Sequence, residues 1–271
     1  MIYLYKYIVS YPKTYKKMQI INQNHIATIS DNFPTITSWK VDGIDILFPE
    51  QELLIGTISK KRGGIPICFP NFGKPVTYNE IEIPQHGFLR DKERMLCQSQ
   101  VQSDFIVMAG MVDGYGLSYS TSIKMQVHHQ FNTPTLTQTL SVCSGNTSQK
   151  MPLCLGFHPY FKINRSFLNF VRDGKEMNMG LFSDQKLLQA QKFGFKNVFE
   201  VQLDERLSVV MVCLGSFQTG HQQVCIWSDN PDKYVCVEPI IHNNKLFGTS
   251  QGHFVGNKKE DFHVSYACKT W

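Results

Sequence analysis

Apolar and polar residues alternate with a period of two wherever this chain shows a pattern. Ile123, Met125, Val127 and His129 alternate with Lys124, Gln126 and His128. Thr35, Thr37, Trp39 and Val41 share one side of a run whose other side is Ile36, Ser38 and Lys40. Residues 135–142 are almost all β-formers, with leucines set between polar positions. That period belongs to strands. Residues 207–214, 224–227 and 234–241 are apolar runs of strand length. Turn signals such as Asp42-Gly43, Asp173-Gly174 and Asn230-Pro231-Asp232 part the strands. Only residues 184–191 look helical, and weakly. Many short strands without alternating helices predict an all-β fold, a large antiparallel β-sandwich. A chain of 271 residues, 42% hydrophobic and 12% aromatic, can fill one sizeable core, and no repeat or linker divides it.

Composition narrows the partners. A net charge of +5 without a dense basic run calls for no nucleic acid. Five of the eight cysteines (Cys68, Cys154, Cys213, Cys225, Cys236) stand in apolar or alternating runs, and no Cys-x-x-Cys pair occurs. They read as reduced, buried thiols of a cytoplasmic protein, not as a disulfide framework or a zinc site. No segment is long and apolar enough to suggest a membrane span, and the lysine- and tyrosine-rich start is too interrupted for a signal peptide. The absence of heptads or an apolar stripe predicts a monomer.

One segment departs from the strand pattern. Arg62-Gly63-Gly64-Ile65-Pro66-Ile67-Cys68-Phe69-Pro70-Asn71-Phe72-Gly73, followed by Pro84-Gln85-His86-Gly87-Phe88-Leu89-Arg90, is punctuated too densely by Gly and Pro for a helix or a long strand. An ordered loop carrying Arg62, His86 and Arg90 suits a polar or anionic small ligand, since arginine grips phosphate or carboxylate through a bidentate fork. A buried turn braced by arginine–carboxylate pairs fits the same residues equally well.

This segment resembles the glucose-6-phosphate 1-epimerase branch of the aldose 1-epimerase (galactose mutarotase-like) superfamily. Three further blocks agree in order: Phe33-Pro34-Thr35-Ile36-Thr37-Ser38-Trp39-Lys40-Val41-Asp42-Gly43, Gly156-Phe157-His158-Pro159-Tyr160-Phe161 and Tyr234-Val235-Cys236-Val237-Glu238-Pro239. The likeness spans roughly residues 18–268. It implies the twisted β-supersandwich of the mutarotases, with 18–271 as a single domain and 1–17 as an extension outside the core. The activity implied is interconversion of the α and β anomers of a hexose, and in this branch of a hexose 6-phosphate.

Anomer interconversion opens a hemiacetal and recloses it on the other face of C1. It needs a base at the C1 hydroxyl and an acid at the ring oxygen, on opposite sides of the sugar, and no metal or cofactor. Glu238 lies in a strand-like apolar run, where partial burial would raise its pKa; alternation alone also allows a solvent-facing carboxylate. His158 leaves an apolar strand for an aromatic turn, where a histidine can equally be a satisfied core residue. The resemblance assigns Glu238 as base and His158 as acid. It sets His86 against the sugar, and Arg62 and Arg90 near a 6-phosphate.

Two regions depart from the family. Ile226-Trp227-Ser228-Asp229-Asn230-Pro231 stands where the family has Trp-Asn-Pro, which leaves Asp229 as a substitute sugar contact. Residues 165–204 match nothing recognisable, and substrate choice could be decided there. A non-catalytic carbohydrate-binding or sugar-sensing protein on the same fold is the rival reading.

Overall fold

The computed structural model describes residues 18–30, 35–90, 96–101, 105–112, 123–132, 134–144, 151–215, 222–241, 245, 247–250, 252–255 and 258–270. The extension expected over residues 1–17 lies outside them, as do Phe33 and Pro34. Two antiparallel sheets dominate. The larger has nine strands, in the order Leu96–Val101, Phe105–Val112, Ile123–Asn132, Thr135–Ser144, Glu260–Thr270, Leu207–Gly215, Phe199–Asp204, Asn169–Arg172 and Lys175–Glu176. The second runs Gln191–Gly194, Gln222–Trp227, Tyr234–Ile241, Gly156–Phe157 and Ile67–Cys68, with Tyr160–Lys162 also paired to Tyr234–Ile241. A four-stranded sheet of residues 18–45 abuts the larger one, with Trp39 against Phe131. Among the described residues the α-helix is confined to Asp184–Leu187, inside the stretch expected to be helical.

Alternation sets which side chains meet between the layers. Along Glu260–Thr270, Phe262, Val264, Tyr266 and Cys268 are buried while the residues between them are half-buried. Phe262 stacks on Phe157, with ring centroids 5.2 Å apart, and Tyr266 meets Phe161 edge-on. These contacts join the nine-stranded sheet to the six-stranded one face to face, the arrangement of a sandwich. Thr135–Ser144 departs from simple alternation, because Thr137, Gln138 and Ser141 are buried as well as the leucines. Side-chain hydrogen bonds join Thr137 to Ser265, Gln138 Nε2 to His129 and Ser141 to Asp261, while the buried Oε1 of Gln138 has no hydrogen-bond partner among the described residues.

Tyr234–Ile241 is buried at every position. It is an interior strand, flanked by Gln222–Trp227 on one side and by Gly156 and Tyr160–Lys162 on the other. A carboxylate on such a strand is taken out of water by the sheet itself.

Candidate active site

Backbone hydrogen bonds sew the separated blocks together. The Gly/Pro-rich loop runs beside residues 156–160: Cys68 pairs with Gly156 and Ile67 with Phe157, the His158 amide donates to Pro66, and the Tyr160 amide donates to Gly64. The second loop docks on the first, through Phe69 N–H to His86 and Phe88 N–H to Phe69. Tyr160 then pairs with Cys236 and Gly156 with Ile240, which brings in the strand that carries Glu238. Gly64 and Gly87 make this possible. Both have left-handed φ (68° and 72°), and a Cβ would lie 2.3 Å from the Ile36 oxygen and 2.0 Å from the Phe69 oxygen respectively. The glycines thus let backbone approach backbone within the fold.

His158 and Glu238 meet at the centre. Nε2 of His158 lies 3.1 Å from Oε1 of Glu238, and both side chains are 3% exposed. The two groups expected on opposite sides of a sugar touch one another when no ligand separates them. Burial pushes the Glu238 carboxyl up to about 8 against the pull of Arg90, the Cys225 thiol and Lys192. Burial, reinforced by Arg90 and by His86, drives His158 well below the usual imidazole range. Both shifts disfavour charge, so near neutral pH the pair holds one proton between a carboxyl and an imidazole. One proton shared by two groups is the stock that an acid and a base acting together require.

Aromatic rings enclose the pair. Tyr160 stacks on His158 with centroids 4.8 Å apart, Trp227 meets it edge-on, and His86 packs against it at 5.1 Å. His86 is buried, with its Nδ1 3.4 Å from both the Cys68 sulfur and the Gly73 amide nitrogen. Its φ of 65° is unfavourable for a residue with a Cβ, by about 1 kcal/mol. Burial, then Arg90, Arg62 and Lys192, lower its pKa to about 3, which leaves a neutral ring at the site.

The two arginines part company. Arg62 forms a buried ion pair with Asp229: Nη2 is 2.8 Å and Nε 3.2 Å from Oδ2, while Nη1 donates to the Lys61 carbonyl at 2.9 Å. The Tyr234 hydroxyl donates to the other Asp229 oxygen, and the guanidinium lies over the Trp227 ring. Burial opposes ionisation of Asp229, yet Arg62 and Tyr234 hold its carboxylate below the usual range. Asp229 and Arg62 therefore spend their polar atoms on each other and on the wall of the site. Arg90 donates Nη2 to the Tyr160 hydroxyl at 3.2 Å and has no carboxylate partner among the described residues. Of the two arginines expected near an anion, Arg62 is paired with a carboxylate and Arg90 is not, among the described residues.

Sequence reasoning missed Tyr160, Trp227, Cys225 and Lys192 as parts of this neighbourhood. Tyr160 stands in the same block as His158, so that block held the signal for it. Cys225 and Lys192 reach the site only by cross-strand register, Lys192 opposite Cys225 and Cys225 opposite Glu238. His158, Cys236 and Glu238 offer ligand atoms within 4.8 Å of one another, a compact donor set made largely of the catalytic candidates themselves. Among the described residues no helix is long and apolar enough to cross a membrane.

Comparison with known proteins agrees with this architecture. The profile of the family described as Aldose 1-epimerase matches residues 17–193, which include Arg62, His86, Arg90 and His158 and end before Asp229 and Glu238. A Cenchrus ciliaris protein named "Putative glucose-6-phosphate 1-epimerase" is 43% identical over 58 residues. That match takes in 21% of this chain and spans 16% of that relative's length. A crystal structure of a Synechocystis protein superposes with a TM-score of 0.71 at 19% identity, covering 98% of this chain and 100% of the other. A galactose mutarotase related enzyme of Lactobacillus acidophilus superposes at 0.73 with 17% identity, over 94% and 98% of the two chains. At such identities these structures speak for the fold, which is that of the galactose mutarotase-like proteins. With its motifs, its sheets and the family profile in agreement, this chain belongs to the aldose 1-epimerase family.

Proposed function

We propose that the protein is a mutarotase that interconverts the α and β anomers of a hexose 6-phosphate by acid/base ring opening and reclosure. The observation that carries this reading is the His158–Glu238 contact, a buried carboxyl and imidazole 3.1 Å apart. A sugar entering between them separates the pair, and turnover needs the pair's proton to pass from Glu238 to His158, against the shifts that favour their neutral forms. Glu238 then takes the proton from the C1 hydroxyl while His158 gives its proton to the ring oxygen, and the C1–ring-oxygen bond breaks to leave an aldehyde. Rotation about C1–C2 presents the other face. The ring hydroxyl attacks C1, its proton returns to His158, and Glu238 gives one back to the new C1 hydroxyl. Each positioned transfer contributes about 10²–10⁴-fold. Tyr160, Trp227 and His86 supply flat walls for a pyranose, and the neutral His86 can donate to a sugar oxygen.

The 6-phosphate reading draws support from Arg90, a cation beside the catalytic pair with no carboxylate partner among the described residues, and from the partial likeness to the Cenchrus protein. NMR saturation transfer between the anomers of glucose 6-phosphate tests the proposal directly. Exchange above the buffer rate is expected; no enhancement with this or with other sugars and sugar phosphates overturns it. Calorimetric sugar binding without exchange would select the non-catalytic reading.

A further inference from the structure

The six-stranded sheet sets a third residue level with the proposed base. Lys192 is the register partner of Cys225, and Cys225 is the register partner of Glu238. Register partners on neighbouring strands project to the same face, so Lys192, Cys225 and Glu238 form one row across three strands. Two strand spacings separate the row's ends by roughly 10 Å. The distance that a hexose 6-phosphate bridges from its anomeric hydroxyl to its phosphate is of that order.

The side chain is placed for such a role. Its ammonium stands 5.8 Å from the centroid of Phe72, and Phe72 in turn meets His86 edge-on at 5.3 Å. An aromatic face attracts a cation and narrows the space that it samples. Lys192 is exposed, and among the described residues no carboxylate pairs with it. Its charge nevertheless acts on His86, Cys154, Cys225 and Glu238, four residues of the same wall. Arg62 is already occupied by Asp229. An anionic substituent that reaches this site thus finds two cations without a carboxylate, Arg90 and Lys192.

We infer that Lys192 is a specificity-determining residue of the site, a second cation that joins Arg90 in holding the phosphate of a phosphorylated sugar. The inference rests on the mutarotase reading for its substrate. Lys192 belongs to residues 165–204, where the sequence by itself offered no motif, and it stands near the end of the region that the family profile matches. An ammonium acts on phosphate as a point charge and needs no fixed fork.

The test compares glucose 6-phosphate with glucose in anomer exchange, for wild type, Lys192→Gln, Lys192→Arg and, as a charge-matched control, Lys175→Gln at the edge of the other sheet. Lys192→Gln should raise KM for glucose 6-phosphate about tenfold, with kcat within about twofold, and so lower the specificity ratio about tenfold. Lys192→Arg should restore most of the ratio, and Lys175→Gln should keep it. An unchanged ratio in Lys192→Gln overturns the inference. An equal loss with both sugars, falling on kcat and moving the pH profile, also overturns it and makes Lys192 a tuner of Glu238. Calorimetry with glucose 6-phosphate separates this inference from the mutarotase reading. If wild type exchanges no sugar, that reading falls, while tenfold weaker binding by Lys192→Gln still supports the phosphate contact and equal binding rejects it.

Discussion

Arg62 and Asp229, 167 residues apart in the chain, form a buried ion pair with Nη2 2.8 Å from Oδ2, in the wall beside His158. The pair ties the end of strand Ile58–Arg62 to the turn that follows strand Gln222–Trp227. Removing one partner strands the other's charge in a place that is about one-tenth exposed. Asp229→Ala and Arg62→Ala should each cost about 3 kcal/mol of stability. The double variant should lose clearly less than the sum of the two. Urea midpoints of the three variants check this; additive losses would show that the pair does not act as a unit.

For the proposed acid/base pair, Glu238→Gln keeps the shape and the hydrogen bond to His158 but cannot accept a proton. Anomer exchange should fall on the order of 10²-fold or more, in a protein that stays folded and melts no lower than wild type near neutral pH. His158→Ala should lower exchange by a similar factor. Near-normal exchange in either variant would show that the residue does not carry the proton.

Arg90 makes a single side-chain hydrogen bond, to the Tyr160 hydroxyl, and otherwise faces the site without a counter-ion among the described residues. Arg90→Ala should weaken handling of glucose 6-phosphate by about 10- to 100-fold and lower the specificity ratio over glucose. Added salt should mimic part of the effect for a ligand at an open mouth. The ratio in wild type and variant, measured at two ionic strengths, decides the point; an unchanged ratio would make Arg90 a brace for Tyr160.

Buried His86 and Glu238 make stability depend on pH in opposite senses. His86 titrates near 3 in the fold against 6.5 for a free histidine, so between those values the unfolded chain binds the extra proton and stability rises with pH. Glu238 is raised to about 8 from 4.5, so between those values the folded chain holds the extra proton and stability falls as pH rises. His86→Gln should therefore flatten the loss of stability below pH 6.5, by on the order of a few kcal/mol at pH 4. Glu238→Gln should flatten the decline between pH 5 and 8. Denaturant midpoints from pH 4 to 9 read both slopes, and slopes equal to wild type would mean that neither group is held in its neutral form.

Alternation along the chain determined the class of fold, because a residue's face on a strand follows from its parity alone. Val127, His129 and Phe131 turn inward, as do Phe262, Val264 and Tyr266. The order of the motif blocks likewise named His86, His158 and Glu238, and the structure gathers these three within contact of one another or of a shared neighbour. Parity says nothing about which strands become neighbours. That Glu238 lies on an interior strand, that Asp229 pairs with Arg62, and that Lys192 stands level with Cys225 and Glu238 were decided only by the order and register of the sheets. The reason is physical. Local sequence sets the backbone's periodicity, whereas pairing between distant strands is chosen by the burial and hydrogen bonding of the whole sandwich, and only that choice determines which charges are left without a partner.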